Sequence, residues 1–186
     1  MKTKTLAAIC IAAMAFLQLL MSCNNGKAAQ SDGNEQDISG KIALNSQTID
    51  GSFEPYDFSS SKITLVYYWA TWCSLCEDEL PVLSQLYEDL KGKGFAVAAV
   101  LLDSVTADGS QNGAAIAKGK EMLAISQASF ECFVPSEAMQ KGEIQKMKFV
   151  PTALIVDSQS KVLKAYIGSR SLAEWKQEAA IYMDNE

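Results

Sequence analysis

Histidine is absent from this 186-residue sequence, and cysteine is scarce, with five residues in all. Structural zinc sites in proteins usually have four ligands, most of them histidine or cysteine. Cys10 and Cys23 belong to an N-terminal segment of different character, which leaves Cys73, Cys76 and Cys132. Three cysteines cannot complete a four-ligand site within one chain. We therefore predict no bound metal and no separate cofactor.

Basic residues are also too few to balance the acidic ones. The sequence has 16 lysines and arginines in total and 22 aspartates and glutamates, which gives a formal net charge of −6. The first 22 residues hold Lys2 and Lys4 but no acidic residue, so the chain without them would carry −8. An acidic surface repels the phosphates of nucleic acids and offers no basic patch to anionic lipids. We predict that nucleic acid is not a partner.

The N-terminal segment has the pattern of an export signal. Lys2 and Lys4 precede an apolar run over residues 6–21, which is shorter than a typical membrane span and is followed at once by polar residues. The run ends in Leu20-Met21-Ser22-Cys23, which resembles a bacterial lipobox. We expect a signal peptide at 1–22, a lipid on Cys23, a flexible tether at 23–37 and one domain at 38–186. Ordinary secretion with cleavage at another position is the alternative.

The most informative stretch joins an apolar run at 63–69 to Cys73-Ser74-Leu75-Cys76 and then to a helical pattern at 77–90. Residues three apart on a first helical turn share one face, so the two cysteines can reach disulfide distance. The positive end of the helix dipole favours a thiolate, which is the nucleophile in disulfide exchange. These features predict a redox pair in which Cys73 attacks. A structural disulfide is the alternative.

Strand and helix patterns alternate through the remainder of the chain. A second apolar run at 95–102 follows the helix and predicts a right-handed βαβ unit. Further elements are expected as a helix at 114–128, strands at 130–134, 153–156 and 161–167, a helix from Ser136 to about 146, and a last helix capped by Ser171. Cys132 has apolar neighbours, which predicts a buried core thiol, with a resolving role as the alternative.

The run Trp69-Ala70-Thr71-Trp72-Cys73, followed by Cys76, Glu79 and Pro81, resembles the thioredoxin superfamily, and within it the TlpA- and ResA-like membrane-anchored oxidoreductases. The resemblance covers about the last three-quarters of the chain. It implies an α/β fold with a central mixed β-sheet flanked by helices, a hairpin around Asp50-Gly51, and an insertion after the second strand. No P-x-x-x-T-x-x-C pattern of a peroxiredoxin precedes Cys73.

The resemblance also implies roles for individual residues. Pro151 would be a cis proline that faces the cysteine pair, with Val150 and Pro151 presenting backbone to a substrate strand and Trp72 forming an apolar wall. Glu79 would assist proton transfer at Cys76, although a surface glutamate favoured by the helix dipole is the alternative. Three positions depart from the family pattern. Tyr67 stands where cytoplasmic thioredoxins have a buried aspartate, and Phe149 and Ser160 stand where glycine is frequent.

Three classes of function fit these expectations. The first is a lipid-anchored reductase that faces the periplasm in the cell envelope, acts on protein disulfides and draws electrons from a membrane donor of the thiol–disulfide relay type. Glu77 and Asp78 offset the helix dipole and favour this reducing direction. The second class is an oxidase or isomerase, which the Ser-Leu dipeptide disfavours because strongly oxidising relatives usually carry histidine there. The third is a lipoprotein that uses the fold only for binding.

Overall fold

A computed structural model describes residues 38–184. The predicted signal peptide, the lipid site at Cys23 and the tether at 23–37 lie outside the described residues, as do residues 185–186. The strands are β1 (Ile63–Trp69), β2 (Phe95–Leu101), β3 (Glu131–Phe133), β4 (Thr152–Asp157) and β5 (Val162–Ile167). The α-helices are α1 (Ser74–Leu90), α2 (Gly113–Ile125), α3 (Glu137–Lys141), α4 (Glu143–Lys146) and α5 (Leu172–Met183). Short 3₁₀ turns occupy Phe58–Ser60 and Leu102–Ser104.

The strands form one mixed sheet in the order β3-β2-β1-β4-β5. β1 runs parallel to β2 and antiparallel to β4, while β2 and β3 are parallel and β4 and β5 are antiparallel. The parallel β1–α1–β2 connection is the βαβ unit that the two apolar runs predict. The expected fold, a mixed sheet flanked by helices, is confirmed.

Both faces of β1 are covered, which explains why its sequence is apolar without alternation. Leu65, Tyr67 and Trp69 point into the apolar cluster shared with α1 and α5, whereas Val66 and Tyr68 point into a second cluster on the other face. All seven residues of β1 are buried. A strand covered on both faces keeps apolar side chains at odd and even positions alike.

The expected N-terminal hairpin forms without regular strands: its arms are joined by hydrogen bonds from the Thr48 N–H to the Ser52 carbonyl at 2.8 Å and from the Tyr56 N–H to the Leu44 carbonyl at 3.2 Å. Gln47 and Phe53 form an isolated antiparallel bridge around Gly51, whose φ is +97°. The first arm also pairs with the edge of the sheet: the Ile49 N–H donates to the Cys132 carbonyl at 2.8 Å, and the Val134 N–H donates to the Gln47 carbonyl at 2.8 Å. This arm therefore lies between its own hairpin partner and β3.

The helix expected from Ser136 to about 146 is divided into α3 and α4. Gly142 separates them with a non-helical ψ of −115°, while its N–H still donates to the Ala138 carbonyl at 2.9 Å. The helix predicted at 114–128 ends three residues early, since Gln127 turns out of it with a φ of +56°. The last helix starts as predicted, and Ser171 and Glu174 form a capping box. None of the helices described between residues 38 and 184 is long and apolar enough to span a membrane.

Candidate active site

The cysteine pair lies where β1 delivers the chain to the start of α1. Cys73 is the N-cap of the helix, and its Sγ accepts a hydrogen bond from the Cys76 N–H at 3.2 Å. The two cysteines are joined in a disulfide, with their Cα atoms 5.2 Å apart. The helix begins at Ser74, as expected for two cysteines on a first helical turn, so both sulfurs are held at its N-terminus. The unpaired N–H groups and the dipole of that turn favour a negative charge on sulfur.

The two cysteines differ in exposure in the direction that the spacing predicts. Cys73 is 7% exposed, whereas Cys76 is fully buried. Trp72, which precedes Cys73, is 69% exposed, and Leu75 between the cysteines is also exposed. A bulky substrate can therefore approach Cys73 alone, across an apolar rim that includes Trp72.

The peptide bond between Val150 and Pro151 is cis, as the resemblance implies. Thr152 pairs with Tyr68 in the antiparallel register, so Pro151 lies beside the end of β1 that leads to Cys73. The Pro151 carbonyl accepts a hydrogen bond from the Gly168 N–H at 2.9 Å. Within residues 38–184, the backbone N–H and C=O of Val150 form no hydrogen bond. These two groups are available to an added strand.

Glu79 is buried, with 2% of its surface exposed, which excludes the surface alternative. Its Oε1 accepts hydrogen bonds from the Trp175 Nε1–H at 2.8 Å and from the Arg170 backbone N–H at 2.7 Å. Its Oε2 accepts from the Tyr67 hydroxyl at 2.9 Å. Burial raises the pKa of the Glu79 carboxyl, and these three hydrogen bonds only partly oppose that effect.

Glu79 also lies close to the buried cysteine along the helix. Residues three apart on a helix share a face, and Cys76 and Glu79 are both buried members of α1. Burial raises the pKa of the Glu79 carboxyl, so it takes up a proton more readily than an exposed glutamate. The arrangement thus places a buried carboxyl on the same helical face as the second cysteine.

The residues that hold Glu79 were not predicted as site residues. The resemblance identifies Tyr67 only as a departure, and Trp175 falls within the last predicted helix, the one capped by Ser171. In the structure both are buried and donate to the carboxylate, and burial raises the pKa of the Tyr67 hydroxyl. The Arg170 guanidinium lies over the ring of Tyr166, 4.4 Å from its centroid. One feature of the sequence could have indicated these partners of Glu79: Tyr67 places a polar hydroxyl at a position where the family pattern has a buried aspartate.

Cys132 lies in β3, where it pairs with Ala99 of β2. It is a free, buried thiol, and burial raises its pKa to about 12. A thiol that stays protonated is a poor nucleophile. The structure therefore agrees with the interpretation of Cys132 as a core residue.

Comparison with known proteins gives a consistent picture. The model of the AhpC/TSA family matches residues 37–182. The thiol-disulfide oxidoreductase ResA of Oceanobacillus iheyensis is 36% identical over 58 residues, which cover 31% of this chain and 30% of that protein. The ResA protein of Bacillus thuringiensis subsp. konkukian is 27% identical over 118 residues, which cover 62% of this chain and 60% of that protein. The chain thus spans 30% and 60% of the length of these two relatives.

A solved structure supports the fold. The thiol:disulfide interchange protein of Chlorobium tepidum TLS, a thioredoxin family protein, matches with a TM-score of 0.63 and 17% identity, over 78% of this chain and 97% of that one. At this identity the likeness concerns the fold alone. It agrees with the mixed five-stranded sheet described above.

The raised pKa of Glu79 predicts a pH-dependent stability. Because the folded-state pKa lies above the ordinary value of 4.5, the folded protein binds this proton more tightly than the unfolded chain. The stabilising contribution is complete below about pH 4.5 and is lost as the pH rises through the folded-state pKa. We expect the unfolding free energy of the natural protein, measured relative to Glu79→Gln, to fall over that range in urea titrations.

The matched control is Glu77→Gln, which removes an exposed carboxylate from the same helical turn. The unfolding free energy of the natural protein, measured relative to Glu77→Gln, should not fall over this pH range. The raised pKa of Glu143 is present in all three proteins and cancels in the comparison. Parallel stability curves for the natural protein and Glu79→Gln would contradict the prediction.

Proposed function

Because this chain belongs to the AhpC/TSA family, we propose that it is a thiol–disulfide oxidoreductase that uses Cys73 and Cys76 as its redox pair. The observation that carries the proposal is the position of the Cys73–Cys76 disulfide. It lies at the N-terminus of α1, where Cys73 retains 7% exposure and Cys76 is fully buried. The substrate class is protein disulfides of the cell envelope. The names of the two ResA relatives support the same reaction.

The reaction proceeds by two thiol–disulfide exchanges. The Cys73 thiolate attacks one sulfur of the substrate disulfide, which forms a mixed disulfide and releases the other substrate sulfur as a thiolate. The Cys76 thiolate then attacks Cys73 Sγ, which closes the Cys73–Cys76 disulfide and releases the second substrate thiolate. Two electrons pass from the cysteine pair to the substrate, and the substrate sulfurs take up two protons.

Glu79 serves the second exchange. Cys76 must lose its proton before it can attack, and its buried position keeps water from accepting that proton directly. The Glu79 carboxylate, held by Tyr67 and Trp175 on the same helical face, accepts it. Since burial raises the pKa of this carboxyl, it takes up a proton more readily than an exposed glutamate.

Substrate recognition rests on backbone pairing. An extended substrate segment adds beside residues 150–151 and hydrogen-bonds to the N–H and C=O of Val150, which have no partner among residues 38–184. The exposed ring of Trp72 lies next to Cys73 and packs against the substrate residues that flank the disulfide. Backbone pairing tolerates many side chains, which suits an enzyme that acts on several proteins.

The favoured direction is reduction of the substrate. The dipeptide between the cysteines is Ser74-Leu75, and it is followed by Glu77 and Asp78, both exposed. Negative charges near the sulfurs disfavour the thiolate and so make the pair a stronger reductant. A membrane electron donor of the thiol–disulfide relay type would then return the oxidised pair to the dithiol.

The reduction potential tests the direction. We expect a value nearer the roughly −270 mV of thioredoxin than the roughly −120 mV of a strong oxidant, measured by equilibration with glutathione buffers. Leu75→His is the matched variant, and its potential should be higher because a cationic ring beside Cys73 stabilises the thiolate. A potential above about −160 mV for the natural protein would favour the oxidase or isomerase alternative.

Single-cysteine variants test the roles within the pair. Because Cys73 is partly accessible and Cys76 is fully buried, Cys76→Ala should accumulate mixed disulfides through Cys73, and Cys73→Ala should accumulate almost none. Non-reducing gels of cell extracts display the adducts, and mass spectrometry identifies the partners. The double variant gives the background due to Cys132. Equal adducts from both single variants would refute the assignment of Cys73, and none from either would favour the binding-only alternative.

The proposed location is the cell envelope, with a lipid on Cys23 and the domain in the periplasm. Leu20-Met21-Ser22-Cys23 supports this location. In a Gram-negative host, Cys23→Ala should move the protein from the membrane fraction to the soluble fraction, because several acyl chains hold a protein to a bilayer stably. Cys10→Ala, in the same N-terminal segment, is the control and should remain with membranes. A Cys23→Ala protein that still sediments with membranes would show that another anchor exists.

A further inference from the structure

The turn that precedes Cys73 is held by residues that are distant from it in the sequence. The Cys73 N–H donates to the Ala70 carbonyl at 3.1 Å, which closes a four-residue turn between β1 and α1. Thr71 is the first central residue of this turn and is buried, whereas Trp72 is exposed. The conformation of the turn therefore depends on what holds Thr71.

Asp103 holds Thr71 from the end of β2. The Thr71 backbone N–H lies 3.1 and 3.2 Å from the two carboxylate oxygens of Asp103, and the Thr71 hydroxyl donates to Oδ2 at 2.6 Å. Asp103 belongs to the 3₁₀ turn that follows β2. Both donors of Thr71 thus bind one ionised acceptor, and hydrogen bonds to charged groups are stronger than neutral ones.

Lys118 holds the same residue from the other side. Its Nζ donates to the Thr71 carbonyl at 2.8 Å. The N–H of Thr71 belongs to the peptide before it and its carbonyl to the peptide after it, so Asp103 and Lys118 together fix both peptide planes.

Lys118 belongs to α2, which packs closely on the sheet at the next residue. A Cβ on Gly119 would lie only 2.6 Å from Leu101 Cδ2. Leu101, the last residue of β2, pairs with Trp69 at the end of β1. This close packing fixes the position from which Lys118 reaches the turn.

We propose that Lys118 and Asp103 are positioning residues for the Cys73 nucleophile, and that helix α2 acts on its reactivity through Lys118. The proposal rests on the function proposed above, in which Cys73 attacks the substrate. With both peptides of Thr71 fixed, Cys73 keeps the N-cap conformation in which Sγ accepts the Cys76 N–H. Without Lys118 the turn moves, that hydrogen bond is weakened, and the Cys73 thiolate is less stabilised.

The test measures Cys73 directly, without a protein substrate. Reduced full-length protein carrying Cys76→Ala is alkylated with iodoacetamide at several pH values, and mass spectrometry follows the peptide that contains Cys73. Lys118→Met should slow the reaction at pH 7 about tenfold, because a hydrogen bond from a charged donor is lost, and should move the pH profile upward. Asp103→Asn should act in the same direction, and Lys118→Arg should restore most of the rate.

The matched control is Lys120→Met. Lys120 belongs to the same helix, but its Nζ pairs with Oδ1 of Asp50 at 3.1 Å and not with the turn. In this variant, Cys73 should be alkylated at the same rate as in the Cys76→Ala protein that keeps Lys120. The measurements are repeated at about 1 M salt, where charge effects are screened within about 3 Å. A Lys118→Met defect that persists in salt supports positioning, and one that disappears shows an effect of charge alone and overturns the proposal.

Equal rates for Lys118→Met and Lys120→Met would also overturn it, as would a lower melting temperature for Lys118→Met with an unchanged pH profile. The proposed function fails separately if the Cys73→Ala variant reduces disulfides as fast as the natural protein does. The two failures are distinguishable because the alkylation rate requires no enzymatic turnover.

Discussion

The position of the candidate site depends on the burial of β1. This strand is hydrogen-bonded on both sides, to β2 and β4, and covered on both faces by apolar clusters. Removing a central strand of this kind from its neighbours would break two ladders and expose two cores, so its C-terminal end is a rigid point. The turn that leads to Cys73 begins at this end of β1. Pro151 lies beside the same end because Thr152 of β4 pairs with Tyr68 of β1. The chemistry of the site is therefore set on a rigid frame.

A second constraint is the cost of burying a carboxylate. An ionised group in an apolar interior is costly unless hydrogen bonds replace its hydration. Glu79 receives three donors: Tyr67 of β1, Trp175 of α5, and the backbone N–H of Arg170 in the loop before α5. The same contacts tie α1 and α5 to the sheet beneath the cysteines. The group proposed to move a proton is thus also one that connects the elements around the site.

Most of the elements could be predicted because their signals are local. The apolar run of β1, the spacing of the cysteines and the capping residue Ser171 are each expressed within a few residues. Departures from the expected elements have two causes. The first arm of the N-terminal hairpin pairs with the edge of the sheet at Cys132 and Val134 as well as with its own second arm, and no local pattern in 42–56 could reveal that additional pairing. The helix from Ser136 was divided at Gly142, a residue that only lowers helix propensity.

The sequence by itself determined where the cysteine pair lies, because two cysteines three residues apart at a strand-to-helix junction carry that information within one turn. It also determined the order of the strands and helices, since periodicity reports burial one element at a time. Only the tertiary structure decided that Glu79 is buried and which groups hold it. Tyr67, Arg170 and Trp175 lie 12, 91 and 96 residues from it in the chain. Likewise only the fold brings Asp103 and Lys118 to Thr71. The physical reason is that periodicity shows that a side chain is buried, whereas hydrogen-bond partners depend on which elements pack together in three dimensions.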